Sequence, residues 1–280
     1  MKPALAHVFL SDKNASLLTI ANQLKAELEL VSYNLNHSEN NLALKHLADA
    51  AEIQTRSNNI SSFSIRYLDE LRQLIVSIPV DSEQTESFLR INETINNASR
   101  FLDNMIVSDI DARDLKNSTI QALNIANITD EILREYGIAY DFEPVIATSG
   151  SMVNMMNMST MSSSIDSPPA PPASIEMEDI GIPSASRIAN ISNYQNAQQL
   201  ANRALELFRH DLRPLELPST ARSFLTIDIR TSSVPELESG LSLLLDSIND
   251  KKPFNDIMQI IHGPVHTNLF LAYDLKMIAE

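Results

Sequence analysis

Residues 11–35 read SDKNASLLTIANQLKAELELVSYNL, and their apolar side chains recur every three or four positions, at Leu17, Ile20, Ala21, Leu24, Leu28, Val31 and Leu35. An α-helix turns once in about 3.6 residues, so this spacing brings all of them to one side of a helix. Ser11 or Asp12 can accept hydrogen bonds from the N–H groups of the first turn. The stretch therefore predicts a capped amphipathic helix.

The same periodicity continues through four later segments, residues 38–53, 60–78, 82–105 and 108–136. In the first of these, the predicted inward positions are Leu44, Leu47, Ala48, Ala51 and Ile53. Gly137 follows the last segment, where a left-handed residue often ends a helix. Amphipathic helices joined by short loops favour an antiparallel bundle of the four-helix type, placed at residues 7–142.

The chain changes character at residues 143–187, where Ser, Met and Pro dominate. Pro168-Pro169-Ala170-Pro171-Pro172 cannot lie within a helix. This composition predicts a disordered linker that lets the flanking blocks move independently.

A smaller helical block is predicted over residues 188–280. Its first apolar stripe stops before Pro214, and Pro235 suits the first turn of the next helix. A last helical run is interrupted at Gly263-Pro264, and residues 224–230 alternate in a way that favours a short strand or an extended loop. Whether the two blocks pack together is left open by the sequence.

The composition supports the all-α fold class. Glycine occurs 5 times in 280 residues, and strands joined by hairpins would consume more of it at their turns. Cysteine does not occur, which excludes disulfides, thiolate metal sites and a cysteine nucleophile.

The formal net charge is −15, with no basic stripe interleaved with aromatic residues. Such a surface repels phosphate backbones, so nucleic acid is not a predicted partner. It concentrates cations and basic partners, although solubility alone also explains it. No stretch approaches the roughly 20 apolar residues of a membrane span.

The N-terminal residues favour export. Ala4-Leu5-Ala6 matches a small-residue cleavage pattern, which predicts that residues 1–6 are a signal-peptide remnant and that the mature chain begins at His7. If Met1 is the true start and nothing is removed, the protein is cytoplasmic instead.

Asn-X-Ser/Thr sequences support an extracytoplasmic location, because nine occur where composition alone predicts about four. The glycosylation candidates are Asn14, Asn36, Asn59, Asn92, Asn97, Asn117, Asn127, Asn157 and Asn190. Asn97 and Asn117 are expected to face away from the apolar stripes of their helices. The alternative is an Asn- and Ser-rich cytoplasmic protein.

A methionine cluster is the densest chemical feature of the chain. Five of the ten methionines lie within ten residues, at Met152, Met155, Met156, Met158 and Met161. Thioether sulfur is a soft ligand that favours Cu(I), and a flexible segment can gather several sulfurs around one ion. The alternative is a low-complexity tract, or a segment that docks on a partner through adaptable apolar side chains.

Three histidines are candidate copper ligands. His262 and His266 are spaced to share one helix face, but Gly263-Pro264 between them is expected to break that helix. A terminal His7 would offer its amino nitrogen and its imidazole to one ion. The remaining histidines, which are assigned to solvent or to structure, are His37, His46 and His210.

Catalytic motifs are absent from the sequence. It contains no phosphate-cradling glycine loop, no Gly-x-Ser-x-Gly elbow and no His-Glu-x-x-His. The paired Glu-x-x-His motifs of di-iron bundles are also missing. An enzyme is therefore not predicted.

Five strings are distinctive: Ala4-Leu5-Ala6-His7, the helix after Asn14-Ala15-Ser16, the run from Leu42 to Ala48, the segment from Asn117 to Leu123, and the ending from His262 to Leu269. Together they resemble a family of uncharacterised exported helical proteins of ammonia-oxidising archaea. The resemblance covers most of the chain and implies an extracytoplasmic setting in copper-dependent organisms, with no established activity. Members carry histidine with methionine in the linker, whereas this linker has methionine alone, which weakens any Cu(II) site there.

The sequence thus predicts a non-enzymatic, extracytoplasmic helical binding protein that captures or handles copper. The alternative is a structural cell-surface module that binds another protein through a helix face, without metal.

Overall fold

A computed structural model describes residues 9, 12–55, 64–78, 84–141, 188–218 and 226–276. These residues form helices and no strand, which confirms the all-α prediction for this part of the chain. The predicted linker lies outside the described residues. Within the described ranges, no helix has the length and apolarity needed to cross a bilayer.

The described residues before position 142 form six α-helices. They are α1 (Lys13–Asn36), α2 (Asn40–Thr55), α3 (Asp69–Val76), α4 (Gln84–Asp109), α5 (Ala112–Leu115) and α6 (Ser118–Ala139). A π-helical turn, Ser64–Leu68, leads into α3. Asp12 caps α1 as the sequence predicts, because its carboxylate accepts hydrogen bonds from the N–H groups of Asn14 and Ala15.

Four α-helices lie in the described ranges 188–218 and 226–276. They are α7 (Ile191–Leu207), α8 (Ile227–Asn249), α9 (Phe254–Ile260) and α10 (His266–Tyr273). A π-helical turn, Phe208–Leu212, extends α7, and a second one, Ile261–Val265, joins α9 to α10.

Side-chain pairs define how the helices run relative to one another. The pairs are Lys25–Asp103 and Ser32–Asn92 for α1 with α4, Asn34–Gln195 and Glu29–Gln199 for α1 with α7, and Tyr194–Ile248 and Arg209–Glu238 for the α7 segment with α8. In each case one residue number rises as the other falls, so the two helices are antiparallel. Helix α1 lies at the centre of the assembly, in contact with α2, α4, α6 and α7.

One continuous core joins the helices on both sides of residues 142–187. Leu24 and Leu28 of α1, Ile132 of α6, Leu200 of α7 and Leu241 of α8 are fully buried members of the same apolar cluster. The two predicted blocks therefore pack together, because the helices after residue 187 complete the core of the helices before residue 142.

The predicted single helix over 108–136 is wrong in its details. Helix α4 ends at Asp109, and α6 begins at Ser118 after the short α5. Asn117 caps α6, because its side-chain oxygen accepts a hydrogen bond from the N–H of Thr119 at 3.0 Å. Gly137 does not end the helix; it is buried inside α6, and Asp141 takes the left-handed conformation, with φ of 56°.

The extended segment predicted at 224–230 is wrong for residues 227–230, which belong to α8. Thr226 caps this helix, with its hydroxyl accepting from the N–H of Ile229. Pro235 therefore lies inside α8 rather than in its first turn. The hydroxyls of Thr231 and Ser233 donate to the Ile227 and Ile229 carbonyls at 2.8 Å in the turns before the proline.

The predicted break between His262 and His266 is also wrong. Gly263-Pro264 lies in the π-helical turn, and the chain stays helical from Phe254 to Tyr273. Proline has no N–H to donate, and a wider turn removes the demand for a regular i to i−4 bond at that position.

Candidate metal centre

The structure describes two of the eight residues predicted to bind metal. His262 and His266 are described, whereas His7 and the methionine cluster lie outside the described residues. The ring centroids of His262 and His266 are 5.3 Å apart, with their planes at 76°. The π-helical turn thus brings the two imidazoles together.

The surroundings of His266 determine its tautomer. The Thr129 hydroxyl donates to the Ala126 carbonyl at 2.8 Å, so its oxygen accepts from Nε2–H of His266 at 3.0 Å. Neutral His266 then carries its lone pair on Nδ1. The ring is buried, with Phe9 packed edge-on at 5.2 Å between centroids.

Seven of the nine glycosylation candidates are described. Asn36, Asn97 and Asn117 are exposed, which confirms the predicted outward position of the last two. Asn97 lines an open groove of about 450 Å³ between α3 and α4. The part-buried candidates are Asn14, Asn92, Asn127 and Asn190, and those outside the described residues are Asn59 and Asn157.

The predicted solvent position of His46 is wrong. Its side chain is 0% exposed, as is that of Glu27. Nδ1 of His46 lies 2.7 Å from Oε2 of Glu27, and Nε2 lies 2.9 Å from Oε1 of Gln195. The imidazole therefore bridges α1, α2 and α7.

A chain of amides fixes which nitrogen of His46 carries a proton. The amide nitrogen of Asn34 donates to the Leu30 carbonyl at 2.9 Å and to Oε1 of Gln195 at 3.1 Å. Oε1 of Gln195 must then be an acceptor, and His46 must donate to it from Nε2–H. Nδ1 consequently faces Glu27 either as a second N–H or as a lone pair.

Burial and hydrogen bonding shift the pKa values of both Glu27 and His46. Burial raises the pKa of the Glu27 carboxyl, against the lowering effect of the His46 hydrogen bond and charge. Burial lowers the pKa of His46, but the Glu27 hydrogen bond and charge and the Gln195 hydrogen bond outweigh it, so the net shift is upward. The pair holds its shared proton more tightly than either group would in water.

Asp49 completes a cluster of three possible metal ligands. One oxygen from each of Glu27 and Asp49 and one nitrogen of His46 lie within 4.8 Å of one another. Asp49 accepts a hydrogen bond from the Ser192 hydroxyl at 3.0 Å and pairs with Lys45. Oε1 of Glu27 is buried and has no hydrogen-bond partner among the described residues.

A second buried carboxyl lies beside this cluster, on α6. Glu135 pairs with Arg134 and accepts a hydrogen bond from the amide of Asn193 on α7. Burial raises its pKa to about 7, opposed by Arg134 and Asn193 and reinforced by the charges of Glu131 and Glu27. The first turn of α7 is thus held by carboxylates of both α2 and α6.

The sequence contains a signal for the cluster that the stripe analysis missed. Glu27 lies three residues after Leu24 and four before Val31, inside the apolar stripe of α1. On α2, His46 and Asp49 are three residues apart, a spacing that brings both to one face. A carboxylate inside an apolar stripe requires a buried partner, and His46 is that partner.

Comparison with known proteins gives no match among protein-family models, curated proteins or solved structures.

Proposed function

We propose that this chain is a non-enzymatic, extracytoplasmic helical binding protein that captures copper. The observation that carries the proposal is the approach of His262 and His266 on one helical face. The methionine cluster, Met152 to Met161, would supply soft thioether ligands, and His7 further nitrogen ligands.

The spacing of the two imidazoles suits one shared ion. Two imidazoles bound at about 2.0 Å on neighbouring tetrahedral positions place their ring centroids about 5 Å apart. The centroids of His262 and His266 are 5.3 Å apart, with the rings steeply inclined. The net charge of −15 adds a general attraction for cations.

Titration of the chelator-treated full chain with Cu(I), against a chromophoric competitor, tests the proposal. We expect one tightly bound ion, lost when the five clustered methionines are changed to leucine. His262→Gln should weaken binding, whereas His37→Gln, at an exposed histidine of the α1–α2 turn, should not. Wild-type affinity in the methionine and His262 variants alike would refute copper capture.

A second candidate is a cell-surface interaction module without metal. The observation that favours it is the outer face of α4, where Leu89 is 65% and Val107 is 70% exposed. These residues are 18 positions apart, or about five helical turns, so they lie on the same side. Under this proposal the methionine variant keeps its partner binding, whereas Leu89→Ser with Val107→Ser abolishes it.

A further inference from the structure

In the Glu27–His46–Asp49 cluster, Nδ1 of His46 and Oε2 of Glu27 are close enough to need a positive charge between them. The amide chain through Asn34 and Gln195 assigns the Nε2 proton of His46 to Gln195. A neutral imidazole would then point the Nδ1 lone pair at the Glu27 carboxylate, 2.7 Å away. Two electron-rich atoms approach so closely only with a proton between them, and a metal ion that replaces this proton has to widen the separation.

A proton leaves part of the cluster unsatisfied. It accounts for Oε2 of Glu27, but Oε1 of the same carboxylate remains buried without a hydrogen-bond partner among the residues that the structure describes. An unmet buried acceptor costs about 1–3 kcal/mol, and more when it is charged. A metal ion bound by the carboxylate can engage this second oxygen.

We propose that Glu27, His46 and Asp49 form a binding site for a divalent ion of the zinc type, separate from the copper site proposed above. Two carboxylates and one imidazole are ligands that Zn²⁺ accepts, and the fourth position is filled by Oε1 of Glu27 or by water. A 2+ ion also balances the two negative charges, which matters in a cluster where Glu27 and His46 are both fully buried.

The required movements are small. Ligand atoms around a tetrahedral ion with bonds of about 2.0–2.1 Å lie about 3.3 Å apart, so the 2.7 Å separation of Nδ1 and Oε2 must open by roughly half an ångström. Asp49 must exchange Lys45 for the ion. The Lys45 side chain is 49% exposed, and a solvent-exposed ion pair contributes little stability.

Helix α7 supplies the groups that orient the ligands. Gln195 accepts Nε2–H of His46, and Ser192 donates to Asp49. Metal-binding histidines ordinarily donate their second N–H to such an acceptor, which fixes the tautomer and the ring orientation. The ligands lie on α1 and α2, and the groups that orient them lie on α7. An ion at this site would therefore stabilise the contact of α7 with α1 and α2.

Zn²⁺ binding to the chelator-treated full chain, measured by calorimetry and by the thermal midpoint, tests the site, with Co²⁺ absorption reporting the ligand geometry. We expect one ion per chain and a higher thermal midpoint. Asp49→Asn should weaken binding by at least about 10-fold while keeping an oxygen for Ser192. Lys45→Met should strengthen binding, because it removes the competing ammonium group.

The outcomes separate this site from copper capture. The variants with five methionines changed to leucine and with His262→Gln should bind Zn²⁺ at the cluster as the wild type does. If the wild type binds no stoichiometric Zn²⁺, or if Asp49→Asn and Lys45→Met leave its affinity unchanged, the cluster holds a proton only and the proposal is wrong.

Discussion

At the scale of single residues, the Glu27–His46 pair places two ionisable side chains in direct contact within the core. Both side chains are fully buried, and the imidazole has an oxygen acceptor at each nitrogen. Removal of one partner strands the other in an apolar core, whereas removal of both takes away the desolvation cost as well. The effects of replacing Glu27 and His46 on the free energy of unfolding are therefore expected to depend strongly on each other.

A double-mutant cycle on this pair tests that expectation. With chelator present, Glu27→Leu and His46→Leu should each lower the free energy of unfolding by about 3–5 kcal/mol. The double variant should recover most of that loss, because Gln195 keeps its hydrogen bonds with Asn34. Urea denaturation measures all four chains, and simple additivity of the two single losses would contradict a buried ion pair.

His46 also shows why the sequence did not reveal the site. The predicted stripe of α2 included Ala48, which is exposed, and omitted Ala43 and Ala50, which are fully buried. Alanine fits either face of a helix, so the stripe was rotated by about one residue, and His46 moved to the polar side. The spacing of residues in α2 is compatible with the buried face that the structure has, but Glu27 on α1 is needed to identify that face.

At the scale of helices, the π-helical turn that contains Gly263 and Pro264 packs closely against α8 at Gly240. A Cβ atom added to Gly240 of α8 would lie 3.3 Å from Cβ of Pro264, closer than ordinary van der Waals contact. Apart from its neighbours in the chain, a Cβ atom added to Gly263 meets nothing within 4 Å. The two glycines therefore have different roles in the same contact region.

Alanine substitutions at these glycines should differ in size of effect. Gly263→Ala should change the free energy of unfolding by less than about 1 kcal/mol, because the gain in helix propensity is offset by the contact of an alanine Cβ with the ring of the following Pro264. Gly240→Ala should lower it by about 1 kcal/mol or more, because the rigid proline ring must be displaced. Thermal unfolding compares both with the wild type, and stabilisation by Gly240→Ala would show that α8 is not tightly packed there.

The helices that were predicted correctly are those with a long stripe of large aliphatic residues. Ile91, Ile95, Leu102 and Met105 of α4 are buried as expected. The errors fall where local chemistry is ambiguous, as at Pro235, which is compatible with a first turn or with an interior position supported by nearby hydroxyls. Tertiary packing decides between such options, and a single sequence does not record it.

At the scale of the whole molecule, the two predicted blocks share one core. Leu200 of α7 and Ile132 of α6 are both fully buried in the same cluster as Leu24 of α1. The contacts of α7 with α1, α2 and α6 include hydrogen bonds through Ser192, Asn193 and Gln195. The helices after residue 187 are therefore expected to remain bound to those before residue 142 without a covalent connection.

Cleavage of the chain tests this expectation. A protease site inserted between Pro172 and Ala173 should yield two fragments that elute together and unfold in a single transition. The reason is that separation would expose the apolar faces of α6, α7 and α8 to water. Size-exclusion chromatography after cleavage measures it, and separate elution of the fragments would show that the blocks are independent.

The buried carboxyl of Glu135 makes the stability of the whole molecule depend on pH. Burial raises the pKa of Glu135 to about 7 from its ordinary 4.5, although Arg134 and Asn193 oppose the shift, and Glu131 on α6 and Glu27 on α1 add to it. The folded chain therefore binds this proton more tightly than the unfolded chain does. The resulting stability is complete below pH 4.5 and is lost as the pH rises through about 7.

The urea midpoint should consequently fall between about pH 5 and pH 8, with Glu135 contributing up to about 3 kcal/mol of the lost stability. Glu135→Gln should flatten this dependence, because the amide cannot ionise yet still accepts a hydrogen bond from Asn193. Glu236→Gln, on the exposed side of α8, removes a carboxyl of the same type and should leave the slope unchanged. If Glu135→Gln keeps the full wild-type slope, the pH dependence comes from the other groups whose pKa is raised, Glu27, His46 and Asp130, or from general repulsion within a chain of net charge −15. Raised salt should abolish the repulsion.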